Sequence, residues 1–389
     1  MSAPRSARSE RMHARHSLIV AFGTLAAMSW LGTGTLAHKP ITSPFTFYED
    51  VLPITAIQCG ACHAPDGVAP MSLLSHESAV PWGESMRLEL VAGHMPPWAS
   101  IAPQDRFRDT RRLSARELNV LLTWAAGGTP PGDAPKAIAA EPRGWPLGAP
   151  HQILALPSLD LPADVARTIK EWVLPLQAIA GRRLAGVDLR PGTASVVRNA
   201  RISTRRPGAA GSERIIALWV PGDQPTLLPA GAGWTIEAGS ELVVRVSYRK
   251  RWDREREPAT DSSTLGLYFS DGAGAEAVAM TARAGDGGNA PDTRTASLTV
   301  AEPVEAVALW PEPAVAGATV RIESVTPAGA RAHLATLAPR QDWERRYWLK
   351  QPLKLDAGTQ LEVKATWPAS AQPPPPGTIL VGVDTLATH

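Results

Sequence analysis

The only two cysteines of the chain stand three residues apart, in Cys59-Gly60-Ala61-Cys62-His63. Two thiols are too few for a disulfide-stapled scaffold, and too few for a four-cysteine zinc or iron–sulfur site. On one helical turn, residues three and four apart share a face. Both sulfurs and the imidazole then emerge on the same side. C-x-x-C-H is the attachment signature of c-type haem. The thiols form thioethers with the vinyl groups, and the histidine offers a ring nitrogen to the iron from the same side. The spacing predicts one covalent haem c as cofactor, bound through Cys59 and Cys62, with His63 as proximal iron ligand. A redox dithiol and a simple disulfide are the rival readings, and neither has a use for His63.

A sixth iron ligand in electron carriers is commonly Met or His. Met71, His76, Met86, His94 and Met95 follow the motif. Met95 precedes Pro96-Pro97-Trp98, and two prolines stiffen the backbone into an extended strap. Met95 is therefore the expected distal ligand, with His94, Met71 and an open position as alternatives. A thioether on the iron raises the reduction potential. Met71 and Met86 otherwise read as core, and His76 as a surface residue. Trp82, Trp98 and Trp124 are candidates to cover a porphyrin or to fill an ordinary core. Arg106, Arg108, Arg111 and Arg112 form a basic cluster. It suits an acidic redox partner or haem propionates, or else a solvated loop with Asp105 and Asp109.

The rest of the chain sets the compartment and the class. Arg5, Arg8, Arg11 and Arg15 precede an apolar stretch from Leu18 to Leu31 and a small-residue end at Gly32–Ala37. That order describes a signal peptide over residues 1–37, and hence a periplasmic or secreted protein. Membrane association is expected only if this N-terminus stays uncleaved. Lys plus Arg number 39 and Asp plus Glu 37, a balance that gives no support for nucleic-acid binding. With 37 prolines and 32 glycines in 389 residues, strands and turns are favoured over long helices.

Helical periodicity runs through Phe47, Val51, Ile54 and Ile57 into Cys59. A second helix opens at Ser114, with Glu117 completing a capping box. Leu118, Leu121, Leu122 and Ala125 form its apolar stripe, and Gly127-Gly128 ends it. Residues 38–129 read as one small helical domain. Residues 130–150 read as a linker rich in Pro, Gly and Ala. Short alternating runs follow at Arg214–Val220, Glu241–Tyr248, Thr264–Phe269, Thr295–Val300, Thr319–Val325 and Gln360–Thr366. They predict antiparallel strands in β-sandwiches over 151–270 and 295–389, with 271–294 as a linker or long loop.

Phe47-Tyr48-Glu49-Asp50-Val51, Ala69-Pro70-Met71-Ser72-Leu73, Met95-Pro96-Pro97-Trp98 and the helix over 113–128 together resemble a cytochrome c domain. It is of the kind found N-terminal to bacterial proteins similar to the copper type II, ascorbate-dependent monooxygenases. Asp261-Ser262 with Gly266-Leu267-Tyr268-Phe269, and Asp342-Trp343 with Leu361-Glu362-Val363, resemble parts of that family's two β-domains. The resemblance implies a multidomain protein: a small all-α cytochrome c domain followed by all-β jelly-roll-like sandwiches. It also implies two coppers held by several His and one Met. The matching positions instead carry Val196-Val197-Arg198-Asn199, Ser247-Tyr248 and Glu312-Pro313-Ala314. From Gln152 onward only His333, His389 and Met280 could serve, so copper is not expected. Arg198 and Glu312 read as structural or surface residues.

The leading expectation is an exported c-type cytochrome for single-electron transfer, an electron-transfer protein rather than an enzyme. Its copper-less β-module would dock or scaffold an unidentified redox partner protein. One alternative is a copper-dependent monooxygenase fed by the cytochrome. Another is a haem-bearing module that binds protein or glycan through Trp219, Trp234, Trp252, Trp310, Trp343 and Trp348. No nucleophile-elbow or phosphate-loop pattern is present.

Overall fold

A computed structural model describes residues 42–97, 101–108, 112–133, 144–209, 211–272, 274–285 and 290–387. The expected signal segment, Trp98, Asp109, Arg111, the middle of the 130–150 linker and His389 lie outside the described residues. No helix among the described residues is long and apolar enough to cross a membrane.

Most of the chain is antiparallel sheet. One four-stranded sheet runs in the order Arg167–Pro175, Glu241–Arg249, Val197–Arg205, Arg214–Trp219. It faces a second sheet ordered Gln152–Ala155, Thr264–Ser270, Arg183–Arg190, Thr226–Leu227, with Trp234–Thr235 also on Arg183–Arg190. Strand alternation supplies the core between them. Trp172, Ile202, Ile216, Val244 and Val246 come from the first sheet, and Leu184, Val187, Leu189, Leu265 and Leu267 from the second. Each such side chain contributes about 1.5–3 kcal/mol of burial.

A second sandwich repeats the scheme. A sheet ordered Ile101–Ala102, Arg331–Leu337, Thr319–Val325, Gln360–Thr366, Thr293–Thr299 covers one ordered Ala277–Arg283, Ile379–Ala387, Val304–Pro311, Tyr347–Leu355. Val320, Ile322, Leu361 and Val363 meet Leu309, Leu349, Leu380 and Val383 across the gap. Each of the six runs expected as strands lies on a strand. The stretch 271–294 does not read as a plain break: it contains Ala277–Arg283, which pairs with Ile379–Ala387 along its whole length.

The two sandwiches meet through buried charge. Arg346 Nε donates to Asp384 Oδ2 at 2.6 Å, and its Nη2 donates to the Ile215 carbonyl of the first sandwich at 2.7 Å. Trp310 Nε1 adds a bond to Asp384 Oδ1. Arg345 pairs with Asp223 at 2.8 Å. Arg201 pairs with both Glu312 and Glu344, so Glu312 is an inter-sandwich counter-charge.

The helical part is smaller. A π-turn at Phe47–Val51 leads into Leu52–Gln58, followed by His76–Ala79, Gly83–Val91 and Ala115–Ala126. Phe47, Val51, Leu73, Leu90, Val120, Leu121 and Trp124 make its core. The capping box is present: Ser114 Oγ accepts from Glu117 N, and a Glu117 carboxylate oxygen accepts from Ser114 N at 2.6 Å. The buried face is centred on Val120, Leu121 and Trp124 rather than on Leu118, Leu122 and Ala125. Ile57, expected on the buried stripe, is 67% exposed.

Residues 101–108 leave this part altogether. Ile101–Ala102 is an edge strand of the second sandwich, and Phe107, fully buried in that sandwich's core, bridges to Leu349. Arg108 Nε donates to the Leu349 carbonyl at 2.9 Å. The ends of the expected linker are tied down. Pro130 and Pro131 carbonyls accept from Phe47 N and Tyr48 N, and the Gly148 carbonyl accepts from Tyr268.

Candidate cofactor site

The motif caps a helix. Leu52–Gln58 ends at Cys59, whose N–H donates to Thr55 O. Cys62 N and His63 N then both donate to the Cys59 carbonyl, at 3.1 and 2.9 Å, which closes one further turn. Gly60 is required there, because a Cβ would lie 2.6 Å from the Ala56 carbonyl. Gly67 is required too, since its Cβ would collide with the Cys62 carbonyl. Leu73 ties the turn from the other side: its N–H donates to His63 O, and its carbonyl accepts from the buried Thr55 hydroxyl.

Neither cysteine is in a disulfide. Burial, helped by the charges of Cys62 and Glu117, pushes the Cys59 thiol up to about 12. Its place at the C-terminal end of a helix also disfavours a thiolate. That is the opposite of the electropositive setting that activates a redox dithiol. Cys62 Sγ points to the Pro221 carbonyl of the first sandwich, 3.7 Å away. His63 is buried, and burial lowers its pKa, opposed in part by the Met71 backbone. Its Nδ1 is buried without a hydrogen-bond partner among the described residues.

Cys59, Cys62 and His63 line one cavity of about 710 Å³, within the range of small-molecule and cofactor sites. Met71, Met86 and Met95 reach the same cavity, with Leu73, Leu90 and Leu121. The sandwiches supply a further part of the wall, including Arg198, Pro221, Arg251 and Trp252 from the first and Arg340, Asp342 and Trp343 from the second. No group of three His, Cys, Asp or Glu side chains among the described residues is placed to share one metal ion.

Several other expected residues fall elsewhere. His76 is not a solvated residue: its Nε2 meets the Thr129 carbonyl at 2.8 Å, and its ring packs among Phe47, Tyr48 and Trp124. His94 turns outward to Glu89. Trp124 is fully buried core with Nε1 on the Pro130 carbonyl, and neither it nor Trp82 lines the cavity. Arg106 and Arg108 are also outside the lining. Of the β-region tryptophans, Trp234, Trp310 and Trp348 are buried, while Trp252 is 68% exposed.

The arginines of the sandwich wall were the least expected members. Arg198 Nη1 donates to Val68 O at 2.5 Å and Nε to Arg249 O at 3.0 Å. Burial and the neighbouring Arg249 charge push its pKa down to about 10. Arg251 donates to Pro65 O and Pro70 O, both at 3.0 Å, while its charge is met by Asp253. Two guanidiniums of the first sandwich thus grip the loop that follows His63.

No protein-family model matches the chain, and no curated protein sequence does. Among solved structures, a xanthan lyase from Paenibacillus is similar at 12% identity over 67% of this chain and 28% of its own, with a TM-score of 0.19. An allantoicase is similar at 10% identity over 54% of this chain and 74% of its own, with a TM-score of 0.18. A candidate α-L-fucosidase from Bacteroides ovatus is similar at 10% identity over 59% of this chain, with a TM-score of 0.19. The chain spans 38% of the length of that protein and 28% of the lyase. At such scores these likenesses carry no argument.

Proposed function

We propose that the protein is an exported c-type cytochrome that passes single electrons to and from a redox partner protein. The helical part would be a cytochrome c domain and the sandwiches a jelly-roll-like pair derived from a copper monooxygenase architecture. One observation carries the reading: two thiols outside any disulfide, a buried imidazole and three methionine side chains line a single cavity of cofactor size.

The residues fit a haem c. Cys59 and Cys62 are the only thiols available for thioethers, and the turn that carries them also carries His63. His63 Nδ1 is buried without a hydrogen-bond partner among the described residues, and burial favours the neutral ring, the form that ligates iron. Met95, at the end of the strap, is the proposed distal ligand, with Met71 and Met86 as the other cavity sulfurs. Such a group supplies a one-electron couple when bound. The chain's part is to exclude water from it with Leu73, Leu90 and Leu121, and to surround it with more cationic than anionic side chains. Fixed positive charge beside an iron centre disfavours its oxidised form.

The copper reading draws no support from the described candidates. His333 Nε2 meets Thr336 Oγ1 at 2.9 Å, and Met280 packs against the second sandwich core.

The test is the purified exported protein, assayed for iron, copper and denaturant-resistant haem, with visible spectra in both redox states. One covalent haem per chain is expected, absent from the Cys59→Ser/Cys62→Ser double variant. A wild-type protein without covalent haem overturns the proposal.

A further inference from the structure

We infer that Arg340, on the second sandwich, is a positioning residue for the Met95 strap and so sets whether a sulfur reaches the iron. The inference deepens the cytochrome reading and rests on it. The strap leaves the Gly83–Val91 helix through Gly93, which has a φ of +67°. His94 N and Met95 N both donate back to the Glu89 carbonyl, at 2.9 and 3.3 Å. Those bonds fix where the strap begins and nothing beyond it. The forward hold comes from another domain: Arg340 Nη1 donates to the His94 carbonyl at 2.7 Å.

The peptide that Arg340 grips is the one joining His94 to Met95. Met95 itself is 40% exposed and lines the cavity, as Arg340 does. A half-exposed side chain has little packing of its own to define one position. Pro96 and Pro97 carry no N–H with which to anchor the far side. Arg340 forms no ion pair among the described residues, so its guanidinium is committed to this carbonyl rather than to a neighbouring carboxylate. The bond is charge-assisted, a class stronger than neutral hydrogen bonds.

The arrangement mirrors the other side of the cavity. There Arg198 and Arg251 of the first sandwich hold carbonyls at 65–70, next to His63. One sandwich thus holds the proximal loop and the other holds the distal strap. The β-pair is then more than a docking module: it would position both residues offered to the iron, His63 and Met95.

The experiment uses the full haem-loaded chain and three readouts: the sulfur-to-iron charge-transfer band of the oxidised protein, the midpoint potential, and affinity for added imidazole. Met95→Ala should abolish the band and lower the potential. Arg340→Met keeps the side-chain stem and removes the donors; it should lose more than half the band and bind imidazole at least tenfold more tightly. Arg340→Lys, which can still donate to the His94 carbonyl, should restore most of the band. If Arg340→Met keeps wild-type band, potential and imidazole affinity while Met95→Ala loses them, the inference is overturned. It is equally overturned if Met95→Ala keeps the band and a Met71 or Met86 variant loses it. Absence of covalent haem from the wild type would instead remove the parent reading.

Discussion

The seam between the two sandwiches and the seam between the sandwiches and the helices are both built on arginine, in different ways. Between the sandwiches, Arg201 and Arg345 meet carboxylates across the seam, and Arg346, held by Asp384 of its own sandwich, reaches the Ile215 carbonyl. Against the helical part, Arg198, Arg251 and Arg340 meet backbone carbonyls of its loops. The first kind demands a charged partner at a fixed position. The second demands only that a loop run past at the right height, whatever its side chains. The sandwich seam is therefore specific in sequence, and the helical seam is specific in shape. The helical core is also small, with a large cavity beside it, so its loops depend on grips from outside.

The largest expected effect tests the charged seam. Asp384→Ala leaves the Arg346 guanidinium buried and unpaired, which costs about 3–5 kcal/mol. Denaturant unfolding should show that loss. A double change to apolar residues at 346 and 384 should recover much of it. A loss below about 1 kcal/mol in Asp384→Ala would show that the seam is not charge-locked.

Next comes a pair that separates the regions. Phe107→Ala and Trp124→Ala each remove a fully buried ring, for about 3–5 kcal/mol. Hydrogen exchange should place the first loss in Arg331–Leu337 and Tyr347–Leu355, and the second in the helices. Deprotection of the helices by Phe107→Ala would break the division drawn here.

A smaller effect lies inside the first sandwich. Burial lifts the Asp188 carboxyl to about 6, opposed in part by its bond from Leu189 N. The folded state then holds that proton more tightly than the unfolded chain, whose carboxyl titrates near ~3.9. This group's penalty is absent below about pH 4, grows as pH rises toward 6, and is full above it. Asp188→Asn should accordingly stabilise the fold by roughly 2–3 kcal/mol at pH 8, on the linkage scale, with the gain vanishing near pH 4. A gain that does not change with pH would discard burial as the cause.

The smallest effect is local. Ser114→Ala removes the capping-box acceptor of the last helix and should cost about 1 kcal/mol, read as fraying of Ala115–Ala126 without change in the sandwiches.

Legibility followed the same division. Glu241–Arg249 and Gln360–Thr366 alternate apolar and polar residues, and periodicity alone finds them. Val197–Arg205 and Arg167–Pro175 carry Arg, Asn, Lys and Glu along their lengths, so their strand character comes from the neighbour each pairs with. The haem-type motif and the Ser114 cap are local patterns and were readable. The sandwich wall of the cavity was not, because Arg198, Arg251 and Arg340 act on main-chain carbonyls, which carry no residue signature. Arg198 drew attention only as a departure from a histidine pattern. His76 misled because a polar ring was satisfied inside a small core, whereas Trp124 took the core place that was one of its two readings.

The early stretch 101–108 finds its resting place only against residues near 331–349. A ribosome feeding this polypeptide outward from its first residue must therefore deliver most of it before that stretch can settle. Until then Arg340, Asp342 and Trp343 are missing from the wall around Cys59 and Cys62, and that side of the cavity stands open.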